Sequence, residues 1–196
     1  QSPTIRVKAL LLFVDLAAYC DDNCRLQRIV PYIISLLHDE SAAVRSHGIR
    51  CLAKVLDLVH NVPASDVHVF PEYIVPAIEH LSGDPDAIVK EAFARHIAQI
   101  AEIARRFLES SQILLLRNRD QLFPMASPMV ARTGAGDRRE AGKFTNYDTS
   151  LQEIHDLFSQ IISSMFWKDC PASVKRALLG DISRLARFFG KKKTAD

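Results

Sequence analysis

The hydrophobic pattern between Arg28 and Val59 predicts two consecutive amphipathic helices separated by a short polar break. Both halves space large apolar residues mostly three and four positions apart, which places them along one side of a helix. The inward positions are Ile29, Ile33, Leu36 and Leu37 in the first half and Val44, Leu52, Val55, Leu56 and Val59 in the second. In the break, Asp39 and Ser41 are candidate caps, because their side chains accept hydrogen bonds from free backbone N–H groups. The stretch is predicted to be a helical hairpin.

This hairpin recurs along the chain. The recurring residues, 45 positions apart in the first two copies, are Asp39 with Val44-Arg45, Asp84 with Val89-Lys90, and Asp169 with Val174-Lys175. The apolar face recurs as well, and in the third copy it comprises Ile182, Leu185, Phe188 and Phe189. A period near 45 made of two helices is typical of HEAT or armadillo repeats. The sequence therefore predicts an all-α fold, an α-solenoid of HEAT/armadillo-type helical hairpins.

The repeat boundaries follow from the same alignment, which gives roughly three and a half repeats. The predicted units are a half repeat at 1–21, repeats at 22–62, 66–109 and 148–190, and an insertion at 110–147. Within the insertion, Ala131 to Lys143 is rich in Gly and charge and almost free of apolar residues, which favours a mobile surface loop. The last repeat is expected to begin at about Asp148, where a helix cap is available.

The first strong helix, Ile5 to Cys20, resembles the second helix of a repeat. Its apolar positions Leu10, Phe13, Leu16 and Tyr19 align with Ile49, Leu52, Val55 and Leu58 at an offset of 39. It has no first-type helix before it, and its run from Ala9 to Val14 would make a poor polar cap for an array. We therefore expect the chain to be a piece of a longer array, and the isolated piece to self-associate.

The helix after Asp84 carries the most charged surface. Its predicted inward residues are Ile88, Phe93, Ile97, Ile100, Ile103, Ala104 and Phe107. On the other side, Arg95, Arg105 and Arg106 are candidate contacts for an acidic partner. The alternative is that this charged face is simply solvated, as most such stripes are, and the sequence leaves both open.

Composition and motifs supply no active site. The hydrophobic and charged fractions of 48% and 24% are ordinary for a soluble folded protein, and a net charge of +2 is too small to indicate nucleic acid or an anionic membrane. No apolar run is long enough to cross a bilayer. The four cysteines and seven histidines show no metal-ligand spacing, and the Gly134-Ala135-Gly136 stretch lacks the P-loop pattern. We predict no catalytic, cofactor or metal residues.

Several residue strings resemble one family. Ile29-Val30-Pro31-Tyr32-Ile33, Phe70-Pro71-Glu72-Tyr73-Ile74 and Asn146-Tyr147-Asp148-Thr149 are similar to the HEAT-repeat region of the regulatory, pseudokinase subunit of the class III phosphatidylinositol 3-kinase complex. The resemblance spans nearly the whole chain apart from Ala126 to Lys143. It implies a larger protein with a kinase-like domain and a WD-repeat propeller, neither of which has motifs in this chain.

The resemblance also implies a function. Members of that family support phosphatidylinositol 3-phosphate production in autophagy and endosomal or vacuolar sorting, together with the lipid kinase catalytic subunit and a Beclin-type subunit. By this resemblance the chain is a cytoplasmic, non-enzymatic scaffold segment that is peripheral to endosome and autophagosome membranes through the complex. The alternative interpretation is a karyopherin-like or phosphatase-scaffold-like HEAT protein that binds peptides in a concave groove. An enzyme would require a cluster of titrating residues that the sequence does not offer.

Overall fold

The computed structural model describes residues 2–61, 69–122, 138–167 and 170–190, and this part of the chain is helical without a β-strand. The elements are α1 (Pro3–Ala17), α2 (Asp22–Cys24), the π-helical turn π1 (Arg25–Ile29), α3 (Val30–Leu36), α4 (Ala42–Asp57), the π-helical turn π2 (Phe70–Ile74), α5 (Val75–Glu79), a 3-10 turn (His80–Gly83), α6 (Ala87–Leu122), α7 (Arg138–Trp167), α8 (Ala172–Gly180) and α9 (Ile182–Phe189). The all-α prediction is confirmed.

The second helices of the hairpins form a stack. Helix α4 packs between α1 and α6, and α6 packs between α4 and the α8–α9 pair. Buried apolar side chains from Leu10 to Phe188 form one continuous cluster along this stack. Phe93 and Phe158 are fully buried in it. This arrangement, in which each layer contacts its neighbours, is that of an α-solenoid.

The first helices of two hairpins each contain a π-helical turn at the same place, 45 residues apart. In both, a π-helical turn precedes a proline at the second position of the next helix, Pro31 in α3 and Pro76 in α5. The N–H of Val30 bonds to the carbonyl of Arg25, and that of Val75 to the carbonyl of Phe70, so each turn is one residue wider than an α turn. A proline has no N–H and its ring crowds the carbonyl four residues back, which explains the wider turn.

Two arginine–aspartate pairs, one half-buried and one buried, tie one hairpin to the next. Arg6 of α1 contacts Asp39, with Nε–Oδ2 at 2.6 Å, and Arg45 of α4 contacts Asp84, with Nε–Oδ2 at 2.8 Å. Each aspartate also accepts a backbone N–H two residues on, from Ser41 and Asp86. These two pairs, which we call the Arg–Asp pairs, fix the turn of each hairpin against the preceding second helix.

The capping prediction is corrected by these contacts. Ser41 lies at the N-cap of α4, but its side chain makes no capping hydrogen bond. The carboxylate of Asp39 instead closes the turn by accepting the N–H of Ser41 at 2.9 Å. The sequence pattern correctly predicted a polar turn. In the structure, however, the Asp39 carboxylate also contacts Arg6 of α1, a different helix.

Two predicted inward residues are exposed. Ile88 is 60% exposed because the neighbouring Val89, fully buried, continues the stripe that contains Phe93 and Ile97. Ile182 is 55% exposed because the predicted last helix is broken at Asp181, which makes Ile182 the first residue of α9. For Ile88 the prediction was wrong by one position around the helix, which is roughly 100°.

The predicted insertion is partly helical. Helix α6 continues to Leu122, and α7 begins at Arg138, so Asp148 lies within a helix and does not begin one. Residues 138–143 of the predicted loop are likewise helical. Residues 123–137 of this segment lie outside the described residues, as do Asp169 of the third copy and the connection at 62–68. The repeat boundaries and repeat number remain predictions.

Candidate functional site

The outward face of α6 forms a groove with the last hairpin. This groove, which we call the Arg95 groove, has a volume of about 560 Å³. Its lining comprises Glu91, Arg95, His96 and Gln99 of α6 with Ser173, Arg176, Ala177, Gly180 and Asp181 of α8 and the turn after it. The groove exists because α8 packs on α6 through buried apolar residues such as Val174, which leaves the polar residues of both helices facing outward.

The cations of the Arg95 groove are accessible. The Arg95 side chain is 61% exposed, and its ion pair is with Glu91 on the same helix. Arg176 is exposed and has no ion pair among the residues that the structure describes. An exposed pair within one helix is worth only about 0.3–0.5 kcal/mol, so Arg95 is easily redirected to another carboxylate. Arginine presents a planar fork of donors that fits a carboxylate with two hydrogen bonds.

His96 is a partly buried residue that lines this groove. Burial lowers the pKa of His96, and the nearby charges of Arg50 and Arg95 lower it further, against the opposing effects of Gln99 and Asp181. The neutral imidazole is therefore favoured, and the positive charge of the groove resides on its arginines.

A second depression continues along α6. This Arg106 groove, of about 330 Å³, shares Gln99 with the first groove and is also lined by Asp57, Glu102, Ile103, Arg105, Arg106, Glu109 and Arg184. In this groove the charged side chains form ion pairs with one another. Glu102 lies 3.8 Å from the Nε of Arg184 and 3.5 Å from Arg187 Nη2. The second groove thus contains ion pairs that connect α6 to α9 and, through Arg106 and Asp57, to α4.

The structure distinguishes the three arginines predicted as partner contacts. Arg106 donates to the carbonyls of Leu56, Asp57 and Val59 at 3.0–3.3 Å, at the end of α4. Arg105 donates to the carbonyl of Arg187 at 3.2 Å. Arg106 and Arg105 therefore join α6 to the helices on either side of it, whereas Arg95 lies apart from them in the wider groove.

Sequence reasoning missed Arg176 and Ser173, which complete the Arg95 groove from the other helix. Neither stands in a motif, and only the packing of α8 on α6 brings them near Arg95. In the repeat alignment, Lys175 is the residue that aligns with Arg45, so the alignment did not single out the adjacent Arg176.

The described part of the chain shows neither a metal-binding cluster nor a membrane-spanning helix. Within residues 2–61, 69–122, 138–167 and 170–190, no group of three or more His, Cys, Asp or Glu side chains is arranged to hold a metal ion. Among the same residues no helix combines the length and the apolar character that spanning a membrane requires. The chemistry that the grooves offer is the recognition of charged and polar groups by exposed guanidinium groups and amides.

Comparison with known proteins places these features in context. A family model described as PIK3R4-like, middle domain, matches residues 1–196. The probable serine/threonine-protein kinase vps15 of Dictyostelium discoideum is 40% identical to the chain over 99% of its length, and the match covers 9% of that protein. Serine/threonine-protein kinase VPS15 of Arabidopsis thaliana is 34% identical over 99% of the chain and 13% of its own length. The Saccharomyces cerevisiae VPS15 is 25% identical over 100% of the chain and 12% of its own length. The chain thus spans about a tenth of the length of these relatives.

Proposed function

The chain belongs to the PIK3R4-like middle-domain family, and from this membership we propose that it is a scaffold segment of the regulatory subunit of the class III phosphatidylinositol 3-kinase complex. The observation that carries the proposal is the match of the family model to every residue of a chain whose described part is a continuous helical stack. In this role the segment supports phosphatidylinositol 3-phosphate production in autophagy and in endosomal or vacuolar sorting. The chemistry itself belongs to the catalytic subunit, and no catalytic step is assigned to this segment.

The proposed mechanism is preorganisation. Each Arg–Asp pair fixes a hairpin turn against the preceding second helix, and Arg106 ties α6 to the end of α4. A stack fixed in this way holds the parts of the longer protein at a set separation, so assembly of the complex loses less conformational entropy than it would through a flexible linker. The segment acts in the cytoplasm, and it is peripheral to the membrane through the complex.

The proposed partners are the lipid kinase catalytic subunit and a Beclin-type subunit. We assign the contact with one of them to the Arg95 groove, because its two exposed arginines are available to carboxylates of a partner. Arg105 and Arg106 contribute to the same surface mainly by holding α4, α6 and α9 in place, since both are bound to backbone carbonyls of neighbouring helices.

Charge reversal in the longer protein that contains this segment, which we call the parent protein, tests this assignment. We expect Arg95→Glu combined with Arg176→Glu to reduce co-purification of the catalytic or the Beclin-type subunit by about tenfold or more, as loss of charge-assisted contacts predicts. The control is Lys175→Glu, which reverses one positive charge on the residue of α8 next to Arg176, outside the groove. Equal recovery of both subunits with the double variant and the control would contradict the assignment of the groove. Replacement of the whole segment by a flexible linker tests the scaffold role separately.

A further inference from the structure

Arginines recur at one position of the stacked second helices. Arg50 of α4 and Arg95 of α6 are 45 residues apart, which is the repeat offset, so they occupy equivalent positions on two helices that pack together. In α8 the equivalent position is Gly180, and Arg176 lies one turn before it on the same side of the helix. All three arginines are exposed. We call Arg50, Arg95 and Arg176 the arginine row.

The arginine row continues from helix to helix. Burial lowers the pKa of His96, and the charges of Arg50 and Arg95 lower it further, so both arginines lie near this one residue of α6. His96 and Arg95 in turn line the Arg95 groove together with Arg176 of α8. Because the axes of packed helices lie about 8–10 Å apart, successive arginines of the row are separated by roughly 10 Å.

The positive charge of the arginine row exceeds what the nearby carboxylates neutralise. Among the residues that the structure describes, Arg50 and Arg176 have no ion pair, and Arg95 pairs only with Glu91 of its own helix. The other carboxylates nearby are paired with different arginines, namely Asp57 with Arg106, Asp181 with Arg184 and Glu102 with Arg187. The row is therefore a surplus of exposed guanidinium groups, each able to bind a carboxylate with two hydrogen bonds.

We infer that the arginine row is the docking surface of an extended acidic polypeptide segment, which crosses α4, α6 and α8 and places one carboxylate at each arginine. The inference rests on the proposed function, and it names the chemistry of the partner that the Arg95 groove receives. A polyproline II segment has three residues per turn and rises about 3.1 Å per residue, so acidic residues at every third position share one side and repeat at about 9.3 Å. That repeat matches the spacing of the packed helices.

Other occupants fit the surface less well. An α-helix is about 10–12 Å wide, so little more than one turn of it would fill the groove of about 560 Å³, whereas an extended segment is thinner. A nucleic acid or an anionic membrane presents dense negative charge, which would face Glu91 and Asp181 in the same groove. Separate carboxylates at regular intervals avoid that repulsion.

Binding of a designed peptide to the parent protein tests the inference. The probe is a fluorescein-labelled peptide of repeating Glu-Pro-Ser units, which carries a carboxylate at every third residue, and fluorescence anisotropy at low salt measures its affinity. Arg50→Gln, Arg95→Gln and Arg176→Gln should each weaken binding by about two- to fivefold, and the triple variant by at least about tenfold, as exposed charge pairs predict. The matched control Lys175→Gln removes one charge beside Arg176 but outside the groove, and it should leave the affinity unchanged.

Four results would overturn the inference. Unchanged affinity in Arg50→Gln would confine the surface to the Arg95 groove. Equal affinity for a peptide of the same composition with its Glu residues consecutive would show charge attraction without the spacing. No measurable affinity for the peptide would exclude the acidic segment, and arginine-dependent binding of phosphatidylserine-containing vesicles in its place would identify a lipid surface. The proposed function fails separately, through unchanged recovery of both subunits with Arg95→Glu combined with Arg176→Glu.

A charge exchange provides a second measurement. The variant Arg50→Glu/Arg95→Glu/Arg176→Glu should gain affinity for a peptide of repeating Lys-Pro-Ser units, because the signs of both surfaces are then reversed. A gain of this kind cannot result from a variant that folds poorly. Its absence in a variant whose circular dichroism is unchanged would contradict the inference.

Discussion

The Arg45–Asp84 pair offers the sharpest test of how the stack is held together. Arg45 donates to both carboxylate oxygens of Asp84 at 2.8 and 2.9 Å, to Asp86 at 2.9 Å, and to the carbonyls of Asp39 and Glu40 at 2.8 and 3.1 Å. The Asp84 side chain is only 3% exposed. Burial disfavours the ionised form of Asp84, but the hydrogen bonds from Arg45 and from the Asp86 N–H outweigh it, so the pKa of Asp84 is lowered.

Arg45→Met keeps the apolar stem and removes the donors, which leaves the Asp84 carboxylate buried with one remaining backbone hydrogen bond. Breaking a buried pair from one side costs about 3–5 kcal/mol. With a urea slope of about 2 kcal/mol per molar, the unfolding midpoint should fall by about 2 M. The exposed pair of Arg95 with Glu91 provides the control, because Arg95→Met should cost no more than about 0.5 kcal/mol.

The double variant Arg45→Met/Asp84→Leu separates the charge from the packing. It removes the orphaned carboxylate, so it should regain at least about half of the stability lost by Arg45→Met alone. Urea unfolding followed by circular dichroism at 222 nm measures all four proteins. A loss for Arg45→Met as small as that for Arg95→Met would refute the claim that the Arg–Asp pairs fix the hairpin turns.

Two further predictions concern pH and the end of α4. The pKa of His96 is lowered from 6.5, chiefly by burial, so the unfolded chain binds the proton first as the pH falls. The stability that neutral His96 contributes should be fully present above about pH 6.5 and should fall on acidification below it. In thermal unfolding, His96→Gln should flatten this slope between pH 7 and 5. An unchanged slope in His96→Gln would contradict the role of burial at this site. Arg106→Met removes three hydrogen bonds to carbonyls at the end of α4, so it should lower the free energy of unfolding in urea by about 1–3 kcal/mol. The control is Lys54→Met, an exposed substitution on α4 itself, which should have a smaller effect. Equal effects would show that Arg106 does not join α6 to α4.

The architecture was predictable because the apolar period is long and regular. The 45-residue offset found in the sequence also relates π1 to π2 and Pro31 to Pro76 in the structure. Where the prediction was wrong, a local feature of the helix was responsible. Ile88 and Val89 are adjacent apolar residues that cannot share one stripe, and the break at Asp181 restarts the helix before Ile182.

The Arg–Asp pairs show why single residues are harder to assign. The sequence alignment singled out Asp39, Val44-Arg45 and Asp84, but it interpreted Asp39 as a local cap, since a capping acceptor needs no distant partner. The actual partner of Asp84 lies 39 residues earlier, and periodicity alone does not reveal such a pairing. The start of α7 at Arg138 was missed for a related reason: its first residues are charged and lack an apolar period.

The candidate surface was predictable only in part. The charged face of α6 is visible in the sequence, and Arg95 was selected from it. The different roles of Arg95, Arg105 and Arg106 depend on which backbone carbonyls lie within hydrogen-bonding distance of each guanidinium group. The Arg95 groove also depends on Arg176, which belongs to a different helix. Both are products of the stacking of second helices.

A linker replacement tests the scaffold role most directly. In the longer protein that contains this segment, residues 1–196 are replaced by a flexible Gly/Ser linker of matched span. The variant is expressed in cells that lack the native regulatory subunit, and co-purified catalytic and Beclin-type subunits are measured together with cellular phosphatidylinositol 3-phosphate. If the segment acts by rigid preorganisation, the linker variant loses assembly and lipid product, while the intact protein and a Lys175→Glu control retain both. Full assembly and normal phosphatidylinositol 3-phosphate with the flexible linker would contradict the scaffold account.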